Sequence, residues 1–210
     1  MRIVVTRPAG QETELVARLQ ELGHEAAHRP LIALEPLGDG PIDVQRYDWV
    51  VVTSPNGARE LLRRARGRLP RTAAIGAATA QALGGADLVP QVSTQEGLLA
   101  ELPRPAGAVL VAAAEGARRL LVDELGADFV PLYRTVELAA ELPAGTELVV
   151  VTSASQARAL RRLGTDAPVI SIGPETSRAA REAGLEVAAE AASQDVAGLL
   201  AAVETVARRR

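Results

Sequence analysis

Cysteine and lysine are both missing from the 210 residues. Without cysteine there is no disulfide, no thiolate nucleophile, no Cys-ligated zinc and no iron–sulfur cluster. Without lysine there is no Schiff-base chemistry and no P-loop. Aromatic residues make up only 2% of the chain. The core must therefore be built from Ala, Val, Leu and Ile, whose short runs suit buried parallel strands under Ala-rich helices. No apolar stretch approaches the roughly 20 residues that span a bilayer. The opening Met1-Arg2-Ile3-Val4-Val5 reads as a strand rather than as a charged leader before an apolar segment. The cytoplasm is the expected compartment. A formal net charge of −3 runs against the basic surface of a nucleic-acid binder. There is no Walker A motif, no GxGxxG after a strand, no GxSxG elbow and no HExxH. Neither a metal nor a nucleotide cofactor is expected.

What the chain does contain is a copy of itself. Val50-Val51-Val52-Thr53-Ser54 recurs as Val149-Val150-Val151-Thr152-Ser153, an offset of 99 residues from Thr53 to Thr152. Ala74-Ile75-Gly76-Ala77-Ala78-Thr79 matches Ser171-Ile172-Gly173-Pro174-Glu175-Thr176 at an offset of 97. Gly97-Leu98-Leu99 matches Gly198-Leu199-Leu200 at 101, and Pro30-Leu31 matches Pro131-Leu132 at 101. Four correspondences at nearly constant offset mark a duplication of a unit of roughly 100 residues, which is a domain-sized unit rather than a solenoid repeat.

Strand-like runs alternate with helical ones, the signature of βα units and a parallel sheet. Strands are predicted near 2–6, 25–29, 48–53, 72–75, 87–89, 107–112, 127–130, 146–151, 168–172 and 185–188. Helices are predicted near 10–22, 56–65, 77–84, 94–101, 115–125, 154–163, 175–183 and 194–207. In the first of these Leu15, Val16, Leu19 and Leu22 form one apolar stripe, and Gly23 suits a left-handed C-cap. Ser193 is predicted to cap the last helix, and Ser93 with Glu96 has the spacing of a capping box. Pro30–Pro36 and Pro131–Leu138 break this rhythm: they are extended, apolar and have no helix of their own. They read as interdomain linkers, 30–39 and 130–138, that pair as two strands. One α/β domain would then be continuous, 40–129, and the other discontinuous, 1–29 plus 139–210. Two sequential domains, 1–105 and 106–210, follow the repeat more literally, and periodicity alone does not choose.

In open α/β sheets ligands bind beyond the carboxyl ends of the strands, where helix N-termini offer free N–H groups to anions. Five strand-to-helix turns stand out: Thr6-Arg7-Pro8-Ala9-Gly10, Thr53-Ser54-Pro55-Asn56-Gly57, Ile75-Gly76-Ala77-Ala78-Thr79, Thr152-Ser153-Ala154-Ser155 and Ile172-Gly173-Pro174-Glu175-Thr176. Helix capping explains any one of them. The set, repeated in both copies, points to a surface for several carboxylates or phosphates. Arg7 follows a strand directly, so its forked donor is expected at the edge of that surface. Tyr133, one of two tyrosines, lies in the second linker, where a phenol either faces a cleft or packs at the hinge. The spacing of His24 and His28 does not place them at a strand's carboxyl end, and they are read as surface or partly buried residues.

These segments resemble uroporphyrinogen-III synthases. The resemblance is carried by Val5-Thr6-Arg7-Pro8, Val51-Val52-Thr53-Ser54-Pro55-Asn56-Gly57, Tyr133-Arg134-Thr135, Ile172-Gly173-Pro174-Glu175-Thr176-Ser177 and Asp195-Val196-Ala197-Gly198-Leu199-Leu200, in order along the whole chain. It implies two similar flavodoxin-like α/β domains joined by a two-stranded ladder, with one domain assembled from both chain ends. It implies a cofactor-independent lyase, monomeric, that closes the linear tetrapyrrole hydroxymethylbilane with inversion of ring D and loss of water. It assigns Tyr133 and Thr176 to catalysis, and Thr6, Arg7, Ser54, Asn56, Gly76, Thr79, Ser153, Ser155, Gly173 and Ser177 to substrate binding. Glu175 departs from what an anion site would want. The rival reading is a non-catalytic two-lobed binding protein for an anionic small molecule, which needs no phenol in its cleft.

Overall fold

The computed structural model describes residues 1–209. The chain opens with β1 (Arg2–Val5), α1 (Thr13–Glu21), β2 (Glu25–His28) and β3 (Ile32–Pro36). It continues through β4 (Ile42–Asp43), β5 (Trp49–Val52), α2 (Pro55–Arg64), β6 (Ala65–Arg66), β7 (Arg71–Ala74), α3 (Ala77–Leu83) and α4 (Gln95–Glu101). Then come β8 (Val109–Ala114), α5 (Leu120–Leu125), β9 (Asp128–Glu137), β10 (Leu148–Val151) and α6 (Ala154–Arg162). The last elements are β11 (Val169–Ser171), α7 (Pro174–Glu182), β12 (Val187–Glu190) and α8 (Val196–Ala207).

Two compact units result, one made of Met1–Ala33 with Val136–Arg210 and the other of Leu34–Thr135. The first unit holds a sheet in the order β12-β11-β10-β1-β2, all parallel. Numbered by their order along the chain within the unit and read from the β2 edge, these strands run 2-1-3-4-5 across the sheet, the flavodoxin-like arrangement. In the second unit β9, β8, β5 and β7 lie side by side and parallel, with Leu88 bridged to Ala73 on the outer side of β7. The repeat equates β5 with β10 and β7 with β11, so β8 and β9 stand where β1 and β2 stand in the other copy. Both copies therefore build the same sheet, and one is circularly permuted relative to the other.

The strands alternate between two helix layers because both faces of a parallel sheet are covered. In the first unit Ile3, Val5, Leu148, Val150 and Ile170 pack under α1 and α8 through Leu15, Leu19, Leu199 and Val203. Val4, Val149, Val151 and Val169 face the opposite way, onto Ala157, Leu160, Ala179 and Ala180 of α6 and α7. In the second unit Val50, Val52, Leu110 and Ala112 lie under Ala58, Leu61 and Leu83, while Val51, Val109, Val111 and Ala113 meet Leu98 and Leu121. Truncating one of the fully buried leucines, such as Leu160, to alanine costs about 2–5 kcal/mol in packing of this kind.

The two linker segments are drawn into β3 and β9, neighbours at one end of the second sheet. Leu37 N–H donates to the Leu132 carbonyl at 2.9 Å and Leu138 N–H to the Leu31 carbonyl at 3.0 Å, the reciprocal spacing of an antiparallel pair. The segment predicted as a strand near 127–130 and the linker after it form one continuous strand of ten residues. Several predicted ends move. Helix α1 starts at Thr13 rather than near 10, because residues 7–12 form the turn after β1; α5 starts at Leu120 rather than near 115. The strand predicted at 87–89 is reduced to the single bridge at Leu88. The caps shift too. Asp195, not Ser193, accepts the Gly198 N–H of α8, and Thr94, not Ser93, accepts the Gly97 N–H of α4.

Candidate active site

In each unit the parallel strands end along a common edge, and the turns singled out in the sequence all lie on these two edges. On the edge of the second unit, the chain leaves β5 through Thr53 and Ser54 and enters α2 at Pro55. Ser54 is the N-cap, its Oγ accepting the Gly57 N–H at 3.0 Å. Tyr133 lies opposite Ala114, the last residue of β8, so its phenol stands level with the strand ends although β9 runs on past it. The structure brings these two residues together: the Ser54 hydroxyl and the Tyr133 hydroxyl are 2.9 Å apart. Tyr133 is only 9% exposed. Burial pushes its phenol above the ordinary value of 10.0, and the Ser54 hydrogen bond offsets part of that rise. At neutral pH the phenol is a protonated donor.

Asn56 sits in the first turn of α2, half-buried, with its Oδ1 accepting from Arg59 at 2.9 Å. Gly76 caps α3. A Cβ there would lie 2.9 Å from the Ser93 hydroxyl, so glycine is what lets the following loop close over this turn. Thr79 is buried in the first turn of α3. Gln95, at the start of α4, donates to the Arg118 carbonyl at 3.3 Å, and its own Oε1 is buried with no hydrogen-bond partner among the described residues.

The edge of the first unit is braced more heavily. Gln156 is 1% exposed, and its Oε1 accepts from the Thr152 N–H at 2.6 Å and from the Thr152 and Thr6 hydroxyls at 3.2 Å each. The single Thr6 hydroxyl proton is shared with the Val150 carbonyl, the nearer acceptor at 2.8 Å, and Thr6 is 0% exposed. Thr6 is therefore an internal tie between β1 and β10, not the surface donor expected from its place in the sequence. Ser177 is likewise interior: its hydroxyl pairs with Ser171 and donates to Glu190, which fixes α7 against β11 and β12. Thr176 is buried one residue earlier, and Gly173 is covered by the Gln194 side chain. Ser153 caps α6 by accepting the Gln156 N–H at 3.2 Å, and Ser155 is half-buried beside it. Glu175 is paired with Arg178 at 2.7 Å, so its charge at this turn is already met.

Arg7 is half-buried, donates to the Gln11 carbonyl at 3.1 Å, and has its guanidinium pKa lowered by burial, with Glu14 opposing. His28 proves to be the last residue of β2, at the strand's carboxyl end after all. Its Nε2 lies 2.8 Å from the Arg7 carbonyl, which can only accept, so that nitrogen carries the proton. Its Nδ1 stands 3.8 Å from Glu12. Sequence reasoning missed both His28 and Gln156. The one signal for Gln156 was that its repeat position holds Gly57, an asymmetry inside an otherwise matched turn.

The fold and these edges define a class: a duplicated flavodoxin-like α/β protein with donor-lined strand ends, one of which carries a buried phenol. A family model described as Uroporphyrinogen-III synthase HemD matches residues 13–201. A putative uroporphyrinogen-III synthase of Archaeoglobus fulgidus is 31% identical over 211 aligned positions, covering 88% of this chain and 90% of the relative. The uroporphyrinogen-III synthase of Synechococcus elongatus is 26% identical over 253 positions, covering 99% and 96%. A crystal structure of a mutant uroporphyrinogen III synthase from the extremely thermophilic bacterium Thermus thermophilus superposes over 100% of both chains with a TM-score of 0.70 at 18% identity, a likeness of fold. The chain belongs to the uroporphyrinogen-III synthase family. Among the described residues no helix is long and apolar enough to cross a membrane.

Proposed function

We propose that this chain cyclises hydroxymethylbilane to uroporphyrinogen III, inverting ring D and releasing water, as a cofactor-independent cytoplasmic monomer. The observation that carries the reading is the Tyr133 phenol, held protonated by burial at the strand edge and hydrogen-bonded to Ser54 at 2.9 Å. A non-catalytic binding protein has no use for that group. In the proposed reaction the terminal hydroxyl leaves as water while the pyrrole nitrogen supplies the electron pair that forms an azafulvene. Tyr133 assists by hydrogen bonding to the departing oxygen. A buried phenol is too weak an acid at neutral pH for early, complete proton transfer. The ring then closes through a spiro intermediate, and what the protein must supply is orientation, since unassisted closure does not invert the ring.

The substrate carries eight carboxylates. Arg7, Ser153, Ser155, Gly173 and Thr176 on one edge, with Asn56 and Gly76 on the other, are assigned to them, through backbone N–H groups where the side chain is buried. Thr79, whose side chain is buried and whose N–H donates to the Gly76 carbonyl at 3.1 Å, supports its turn from within. Thr176 is also carried over as a catalytic residue. Thr6 and Ser177 act from the interior by holding these turns in place. Segments 30–39 and 130–138 serve as the hinge linking a discontinuous domain, 1–29 plus 139–210, to an inserted one, 40–129. The test supplies freshly made hydroxymethylbilane and separates type I from type III product. Type III enrichment above the spontaneous mixture is expected, and Tyr133→Phe should lower kcat by about 10- to 100-fold. Type I product alone at high protein concentration rejects the proposal.

A further inference from the structure

We infer that Ser54 is a positioning residue that donates its own hydroxyl proton to Tyr133, leaving the phenolic O–H free to reach the departing oxygen, and is not itself a substrate ligand. Hydrogen-bond accounting sets the direction. Among the described residues the Ser54 hydroxyl has two partners, the Gly57 N–H at 3.0 Å and the Tyr133 hydroxyl at 2.9 Å. Gly57 N–H is a donor, so one Ser54 lone pair is taken and the Ser54 proton has Tyr133 as its acceptor. The reverse sense, Tyr133 donating to Ser54, would spend the phenolic proton and leave the serine proton without that acceptor.

Polarisation selects the same sense. A hydroxyl that accepts a hydrogen bond becomes a better donor and a poorer second acceptor. Gly57 lies in the first turn of α2, a helix of ten residues. The positive end of its dipole therefore stands behind Ser54 and favours negative charge developing beyond it, on the phenol oxygen. The chain of donors runs from Gly57 N–H to Ser54 O–H to Tyr133 O–H, all pointing outward from the helix. The duplication supplies an internal comparison. Ser153 makes the same cap by accepting the Gln156 N–H at 3.2 Å, but the residue at the repeat position of Tyr133, 101 residues earlier, is Ile32. The relay is built once, in the second unit only.

The inference rests on the proposed reaction for its catalytic meaning, but the proton arrangement is measurable without substrate. With no lysine and no cysteine, Tyr47 and Tyr133 are the side chains that titrate in the phenol range. In a Tyr47→Phe background the alkaline rise in tyrosinate absorbance reports Tyr133 alone, and Tyr47→Phe/Tyr133→Phe supplies the blank. Ser54→Ala should raise that midpoint by about one pH unit, because a donor to the phenolate is lost. It should also lower kcat about ten-fold with KM within about two-fold. Ser54→Thr should restore both values. Ser54→Gly, which keeps most of the capping stability, should behave as Ser54→Ala does if the cap itself is not the cause. An unmoved or lowered midpoint overturns the inference. So does a raised KM at unchanged kcat, which would make Ser54 a substrate ligand. A wild-type protein without type III enrichment would sink the proposed reaction while leaving the titration result to stand on its own.

Discussion

Gly198→Ala separates backbone crowding from helix propensity, because the two predict opposite signs. Gly198 is the third residue of α8, in ordinary helical conformation, where alanine would normally be preferred by about 1 kcal/mol. A Cβ at this position, however, would lie 2.2 Å from the Ser193 carbonyl oxygen, 2.6 Å from its hydroxyl and 2.9 Å from its backbone nitrogen. Two of these three atoms are main chain and cannot rotate away. The loop before α8 has to shift, at a cost of about 1–3 kcal/mol for forced overpacking. The shift also strains the 2.7 Å bond from Gly198 N–H to Asp195, and losing an N-cap costs about 1 kcal/mol. The net is a loss of roughly 2 kcal/mol, or a fall in Tm of about 8–16 °C for a unit of roughly 100 residues. Thermal unfolding followed by circular dichroism reads it. The duplicate position behaves alike, since a Cβ at Gly97 would stand 2.1 Å from the Val92 carbonyl oxygen. Gly40→Ala is the control: its Cβ meets open space and its backbone is not left-handed, so Tm should hold or rise slightly. A Gly198→Ala protein with wild-type or higher Tm would refute the crowding argument.

Gln156→Leu is expected to destabilise the first unit by about 1–3 kcal/mol, because the Thr152 N–H loses its acceptor where water cannot replace it; urea unfolding measures it, and a neutral outcome would mean the turn re-forms without the glutamine. Glu96 accepts two hydrogen bonds from Arg118, at 2.9 and 3.0 Å. These hold its carboxyl at about 2 instead of the ordinary 4.5, aided by its own backbone N–H. A depressed carboxylate contributes stability that is complete above its unfolded pKa and is lost as pH falls through the folded one. Glu96→Gln should therefore flatten the stability profile between pH 4.5 and 2 and leave the profile's slope near neutrality unchanged; a profile parallel to the wild type throughout would show the pair to be idle.

Much of the architecture was open to reading without coordinates. Apolar runs such as Val149–Val151 and helical stripes such as Leu15 and Leu19 carry their own periodicity, and the copied segments revealed two equivalent units. The strand-end turns followed, because Ser54 and Ser153 sit directly between a strand and a helix and do cap what comes next. Those features are local: they depend on spacing within one element and its first turn. Which hydroxyl meets which partner is not local. Thr6 and Ser177 have the same chemistry as Ser153, yet a neighbouring strand supplies each with an acceptor and seals it inside. Tyr133 faces Ser54 only because β8 lies between β5 and β9, bringing residues 79 apart in sequence to 2.9 Å. The sequence by itself determined the elements, their duplication and the turns at their ends; strand order alone decided which of those turns are braced from within and which one holds a phenol, since a side chain's partner is set by whatever strand is packed beside it.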